Sequence, residues 1–167
     1  IRCRRKADIR KMIKLLLCAA LVALCSGVGY LLAGKYKQRK KFFYELDFFN
    51  ARMINEVSYT KMPVSAVIEK YPFSGDFGKL LEEKKKNGSV TGDFEIAYLS
   101  GDEKNFVRDY FLMVGRSDSG SQREYLNSAR AETEKLRAES EKEYKRRFNL
   151  YVRLGFLFGL ILAVLLA

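Results

Sequence analysis

The feature that most constrains this chain is a run of nineteen residues without a charge, Leu15 to Ala33, LLLCAALVALCSGVGYLLA. As a helix rising about 1.5 Å per residue, it nearly crosses a hydrocarbon core of roughly 30 Å. The run is therefore expected to be a membrane span. A second apolar stretch of fourteen residues, Leu154 to Ala167, closes the chain. Alone it would make only about 21 Å of helix. Extended back to Phe148 it reaches twenty residues broken only by Arg153, whose long stem can carry the charge to the interface. Tyr144 and Tyr151 stand where an aromatic belt belongs.

The formal net charge of +11 invites a nucleic-acid reading, but residues 1–41 alone carry +11, residues 42–147 carry −1, and Arg153 supplies the rest. The excess flanks an apolar segment, as a membrane-insertion signal does, and is not spread over a folded face. The chain has no His and no Trp, so a Ser-His or Cys-His pair and a His-ligated metal are excluded. It also lacks G-x-x-x-x-G-K-[ST], G-x-S-x-G and C-x-x-C. Glu132, Glu134, Glu139, Glu141 and Glu143 alternate with Lys and Arg, a pattern of surface ion pairs and not of a metal site. No catalytic, cofactor or metal site is expected, and neither nucleic acid nor a small-molecule substrate. Cys3, Cys18 and Cys25 form no disulfide framework and behave as small apolar residues.

Met12 directly precedes the first span, and the chain opens on Ile1. Residues 1–11 are therefore expected to be an upstream, non-native extension. They are followed by a first span over 12–34, a helical domain over 35–147 and a second span over 148–167. With translation starting at Met12, only Lys14 and the amino terminus oppose the flanks Lys35, Lys37, Arg39, Lys40 and Lys41, and Lys145, Arg146, Arg147 and Arg153. The positive-inside rule then places the domain in the cytoplasm. Were residues 1–11 native, their six basic residues against Asp8 would blunt the rule. Cleavage of the first span as a signal near Cys25 is the rival reading. Leu24 and Leu17 stand where a lipoprotein signal needs a small residue before its Cys, and the basic run 35–41 resembles a stop-transfer flank.

Between the spans the periodicity is helical. Phe42, Leu46, Phe49, Met53 and Val57 recur at steps of four and three, with Phe43 and Ile54 beside them, predicting a helix out of the membrane to about Tyr59. Pro63 suits the first turn of a short helix ending before Pro72. A third helix is expected over 78–86 with Phe77, Leu80 and Leu81 buried, and a loop at Asn87, Gly88 and Gly92. Lys84, Lys85 and Lys86, after Glu82 and Glu83, suggest a solvated helix end. Phe94 and Ile96 to Leu99 suggest a further short helix. Asp102 is a candidate cap for the next, whose core face is Phe106, Val107, Tyr110, Phe111 and Val114, stopped by Gly115 at C′. Ser119 and Gln122 form a candidate capping box opening a last helix that runs into the second span. Its apolar positions, Leu126, Ala129, Leu136 and Leu150, are thin, as on a solvated stalk or partner surface. The expected fold is all-α: a small helical bundle between terminal transmembrane helices.

Ala19, Ala23 and Gly27 line one face of the first span, and Gly155 and Gly159 form G-x-x-x-G in the second. Both patterns let helix backbones approach closely, so the spans can pack on each other or on other subunits.

The stretch FLMVGRSDSGSQ, residues 111–122, is the most distinctive in the chain. With its surroundings it resembles the stage III sporulation protein AB family of endospore-forming bacteria. That family pairs an amino-terminal membrane helix and basic run with a helical segment, a G-x-S-D-x-x-x-Q stretch, a long charged helix and a terminal apolar helix opening with Leu-Gly. Here these features fall on Leu15 to Ala33, Lys35 to Lys41, Gly115, Ser117, Asp118 and Gln122, and Leu154 with Gly155. Pro63 is followed by Val64 and Ser65 where an acidic residue is usual, and Phe94 stands where the family often has Trp. The resemblance implies a non-enzymatic platform of the sporulation channel in the mother-cell membrane around the forespore. Its implied partners are other stage III sporulation proteins, a cytoplasmic traffic ATPase among them, together with membrane lipid and further copies of itself. Without the resemblance, a two-span signalling adaptor whose long polar helix carries the signal, or an exported adhesive domain, would also fit the residues.

Overall fold

The computed structural model describes the backbone of residues 2–60, 62–88, 95–116 and 119–166, and the side chains of Met12, 16–60, 62–88, 95–116 and 120–165. Five helices follow in order: α1 Arg2–Tyr59, α2 Val64–Lys70, α3 Gly75–Asn87, α4 Gly101–Met113 and α5 Ser119–Leu166. No strand occurs among the described residues. The two long helices contribute to both of two units, one made of the chain up to Lys37 and from Glu143 onward, the other of Gln38–Lys142.

In the first unit the ends of α1 and α5 run antiparallel. Cys18 Sγ donates to the Ala163 carbonyl at 3.7 Å, Tyr30 meets Phe148 edge-on, and Tyr36 stacks on Tyr151. Each helix contains an 18-residue window of mean hydropathy 2.2 or 2.0, and those windows are only 11% and 6% buried. So much exposed apolar surface separates them from the core helix of a soluble protein and suits a lipid environment.

The second unit has its own core. Phe42, Leu46, Phe49, Met53 and Val57 of α1 are buried as the spacing predicts. Phe49 is the hub, contacting Phe73 just before α3, Phe77 in its first turn, and Tyr110 and Phe111 of α4. The pairs with Phe73, Phe77 and Tyr110 are edge-on and that with Phe111 is tilted; edge-on aromatic pairs contribute roughly 0.5–1.5 kcal/mol each beyond their burial. α5 closes the core with Leu126, Ala129 and Leu136.

The buried face of α5 is fuller than its apolar residues suggest. Gln122, Thr133 and Ser140 are also buried, and the six together recur at steps of four and three, the spacing of a helix–helix seam. Thr133 donates to Asp47, Arg137 pairs with the same carboxylate at 2.7 Å, and Asn50 donates to the Leu126 carbonyl. Leu150 is half exposed and belongs to the membrane unit.

Local details depart from expectation in four places. Ser100, not Asp102, caps α4: it takes a bond from Glu103 N while Glu103 accepts from Ser100 N, a complete capping box. The same Glu103 also accepts from Arg39 of the basic run. Residues 95–100 form a turn and not a helix, with Leu99 N bonded to Ile96 O. Ser100 must be extended to act as a cap, so no helix can pass through it. Pro63 sits one position earlier than its first-turn assignment, and its carbonyl accepts from Ala66 and Val67. Lys84 is buried, whereas the sequence pointed to a solvated helix end. Phe94, Gly92 and the Ser119 side chain lie outside the described residues.

Candidate functional site

A groove of about 410 Å³ opens in the second unit where the end of α1, α2, the end of α3 and the α4–α5 corner meet. Its walls include Met53, Val57, Val64, Ile68 and Val114, and its polar members include Lys84, Gly115 and Gln122.

Gly115 makes the corner possible. Its φ of +85° lies in the left-handed region, and a Cβ there would come 2.9 Å from Val64 Cγ2. A side chain is therefore opposed by both strain and space. Its N–H donates to Gln122 Oε1 at 2.8 Å. The first and last residues of G-x-S-D-x-x-x-Q are thus joined across seven positions, closing the α4–α5 turn beneath the groove. Ser117 and Asp118, between them, lie outside the described residues.

Lys84 is the residue sequence reasoning missed. It is only 6% exposed, and its ammonium donates to Phe111 O at 2.6 Å and to Gly88 O at 3.3 Å. Both acceptors stand at helix C-termini, where carbonyls carry partial negative charge. Burial, and then the Arg116 charge, press its pKa below the usual lysine range. The only signal in the sequence is the position three residues after Leu81, on the buried stripe of α3; three consecutive lysines hide which one turns inward.

The neighbouring wall is fastened by Glu56. Its carboxylate accepts from Lys70 Nζ at 2.6 Å, Thr60 Oγ1 at 2.8 Å and Tyr71 OH at 2.8 Å. These donors, Lys70 first, hold its pKa at about 2. They anchor α2, which carries Val64 and Ile68, to the end of α1.

In the membrane unit the glycines of α5 lie at the helix contact. A Cβ at Gly159 would come 2.9 Å from Val22 Cα, and one at Gly155 would come 2.8 Å from Cys25 O. On α1 the facing residues are Val22, Cys25, Ser26 and Gly29, the last with its Cβ position 2.6 Å from Tyr151 O. Ala19, Ala23 and Gly27 lie on a different, exposed face, and nothing comes within 4 Å of a Cβ built on Gly27. The two small-residue patterns are therefore not brought together within the chain. Gly29, with Cys25 four residues before it, marks the face that packs.

These features are those of an all-helical chain with two long apolar helices at its ends, compatible with a two-span membrane protein. The sequence profile of Stage III sporulation protein AB (spore_III_AB) matches residues 14–167. The chain belongs to that family, and its role lies in stage III of sporulation. No curated protein and no solved structure shows significant similarity to it.

Proposed function

We propose that this chain is a non-enzymatic platform of the channel between mother cell and forespore, seated in the mother-cell membrane around the forespore with its helical domain in the cytoplasm. The family match over both spans and the domain is the observation that carries this reading. In the described domain, charged and polar side chains largely fasten helices to one another: Glu56 to Lys70, Glu103 to Arg39, Asp47 to Arg137. Such a domain holds partners, here other stage III proteins and a cytoplasmic traffic ATPase, and works as an oligomer. The cytoplasmic placement draws on the basic flanks Lys35 to Lys41 and Lys145 to Arg147. Gly115, Ser117, Asp118 and Gln122 shape the partner face, Gly155 and Gly159 pack the two spans, and Ala19, Ala23 and Gly27 are left for neighbouring subunits.

Deleting the gene is expected to arrest development after engulfment, scored as loss of heat-resistant spores. A tagged chain solubilised from sporulating membranes should bring the ATPase with it. Normal spore yield would sink the developmental role, and copurification without the ATPase would sink the platform assignment.

A further inference from the structure

We infer that the groove beside Gly115 and Gln122 docks an apolar segment of another protein through a carboxylate that seats on the Lys84 ammonium. This deepens the platform reading and rests on it, because it names the chemistry by which the domain holds a partner.

Lys84 is the anomaly that points there. An ammonium has three N–H donors, and the acceptors here are two backbone carbonyls, the Gly88 one at 3.3 Å. No described carboxylate pairs with Lys84, while its neighbour Lys85 is already taken by Glu69 at 2.6 Å. Arg116 adds positive charge nearby. Helix-end carbonyls soften a buried cation without neutralising it. An unbranched apolar side chain of similar length would fill the space without the ammonium's desolvation penalty, though without the bonds to the Phe111 and Gly88 carbonyls. Apart from Lys84, the lining combines the apolar side chains of Met53, Val57, Met62, Val64, Ile68 and Val114 with the polar Ser65, Lys85 and Gln122. A surface of this kind suits apolar side chains carrying one anionic group. A phosphate would call for several converging charged donors, and of the two lysines lining the groove Lys85 is already paired with Glu69.

Ser65 supplies a control independent of the core, because it lines the groove yet is exposed on the first turn of α2. In a strain deleted for the gene, Lys84→Met, Ser65→Glu and Ser65→Lys versions of the full chain are compared by spore titre. Immunoblots give chain levels, and circular dichroism in detergent gives the unfolding temperature. Lys84→Met leaves the Phe111 carbonyl without its lysine donor and should lower the unfolding temperature modestly, whereas spore titre should fall about tenfold or more with chain levels near wild type, as loss of a desolvated charge pair does. Ser65→Glu should fold normally and also lose titre by repelling the incoming carboxylate, whereas Ser65→Lys should stay near wild type. Suppressors of Ser65→Glu should replace an acidic residue by a neutral or basic one in another protein.

Wild-type titres for both Lys84→Met and Ser65→Glu would overturn the inference, as would equal loss from Ser65→Glu and Ser65→Lys. Suppressors confined to this chain would also overturn it, because they would make the occupant a second copy or the chain itself. If the deletion strain sporulates normally, the platform reading falls first. If the deletion arrests and the charge variants do not, only the docking chemistry falls.

Discussion

At the scale of single residues, the groove is held by two positions with opposite needs. Gly115 needs to have no side chain. Gly115→Ala places a Cβ in the left-handed region at about 1–2 kcal/mol, and Val64 Cγ2 stands 2.9 Å from it. The variant should lower the unfolding midpoint in denaturant titrations, and Val64→Ala should restore part of the loss, so that the two changes are non-additive. Glu56 needs to keep its charge. With its pKa held at about 2 by Lys70, Thr60 and Tyr71, its contribution is complete above the ordinary glutamate range. It is lost as pH falls through that range toward about 2, because the unfolded chain takes up the proton first. Glu56→Gln should therefore unfold at a lower temperature than wild type at neutral pH, and the two melting curves should converge on acidification.

At the scale of helices, polar residues do more of the pairing than hydropathy suggests. Asn50 receives the Tyr110 hydroxyl at 3.0 Å and donates to the Leu126 carbonyl at 3.2 Å, linking α1, α4 and α5. Asn50→Leu makes the stripe more apolar yet should destabilise the chain. It leaves a fully buried Tyr110 hydroxyl without that acceptor, at about 1–3 kcal/mol, measurable by chemical unfolding in detergent. This also explains why α5 looked like a solvated stalk: three of its six buried positions in the domain are Gln122, Thr133 and Ser140, which a search for apolar residues passes over. The membrane seam has its own test. Ala163→Cys should oxidise to a disulfide with Cys18, whose sulfur already touches the Ala163 carbonyl at 3.7 Å. Adding Gly159→Leu should suppress that cross-link, because the leucine needs the space occupied by Val22.

At the scale of the whole molecule, the proposed topology gives the remaining prediction. In a chain whose own cysteines are replaced by alanine, Ser65→Cys should react with an impermeant maleimide only after the membrane is opened. Labelling in intact cells would reverse the orientation. Much of the architecture was legible in advance. The end of α1 at Tyr59, the buried aromatic stripe, Gly115 as a helix stop and a last helix running into the apolar terminus all follow from period and punctuation, because Phe, Leu and Met at steps of three and four bury only one way. The cap of α4 was misplaced because Ser100 and Asp102 are both good caps, and the choice fell to Glu103, which reaches back to Ser100 while also holding Arg39. The candidate site was half legible. G-x-S-D-x-x-x-Q marked Gly115 and Gln122, but neither the bond between them nor Val64 opposite them leaves a trace in the spacing.

The sequence by itself determined that this is a helical chain with two long apolar helices and a domain between them without catalytic His chemistry. Those properties depend on composition, charge distribution and helical period, all of which are local sums. Tertiary structure decided which of three adjacent lysines is buried, which small residues meet across the spans, and that a groove exists beside Gly115. Each of these depends on which face of one helix meets which face of another. Hydropathy cannot rank Lys84 against Lys85, or Gly27 against Gly29, since members of each pair are chemically alike and differ only in the direction the helix turns them.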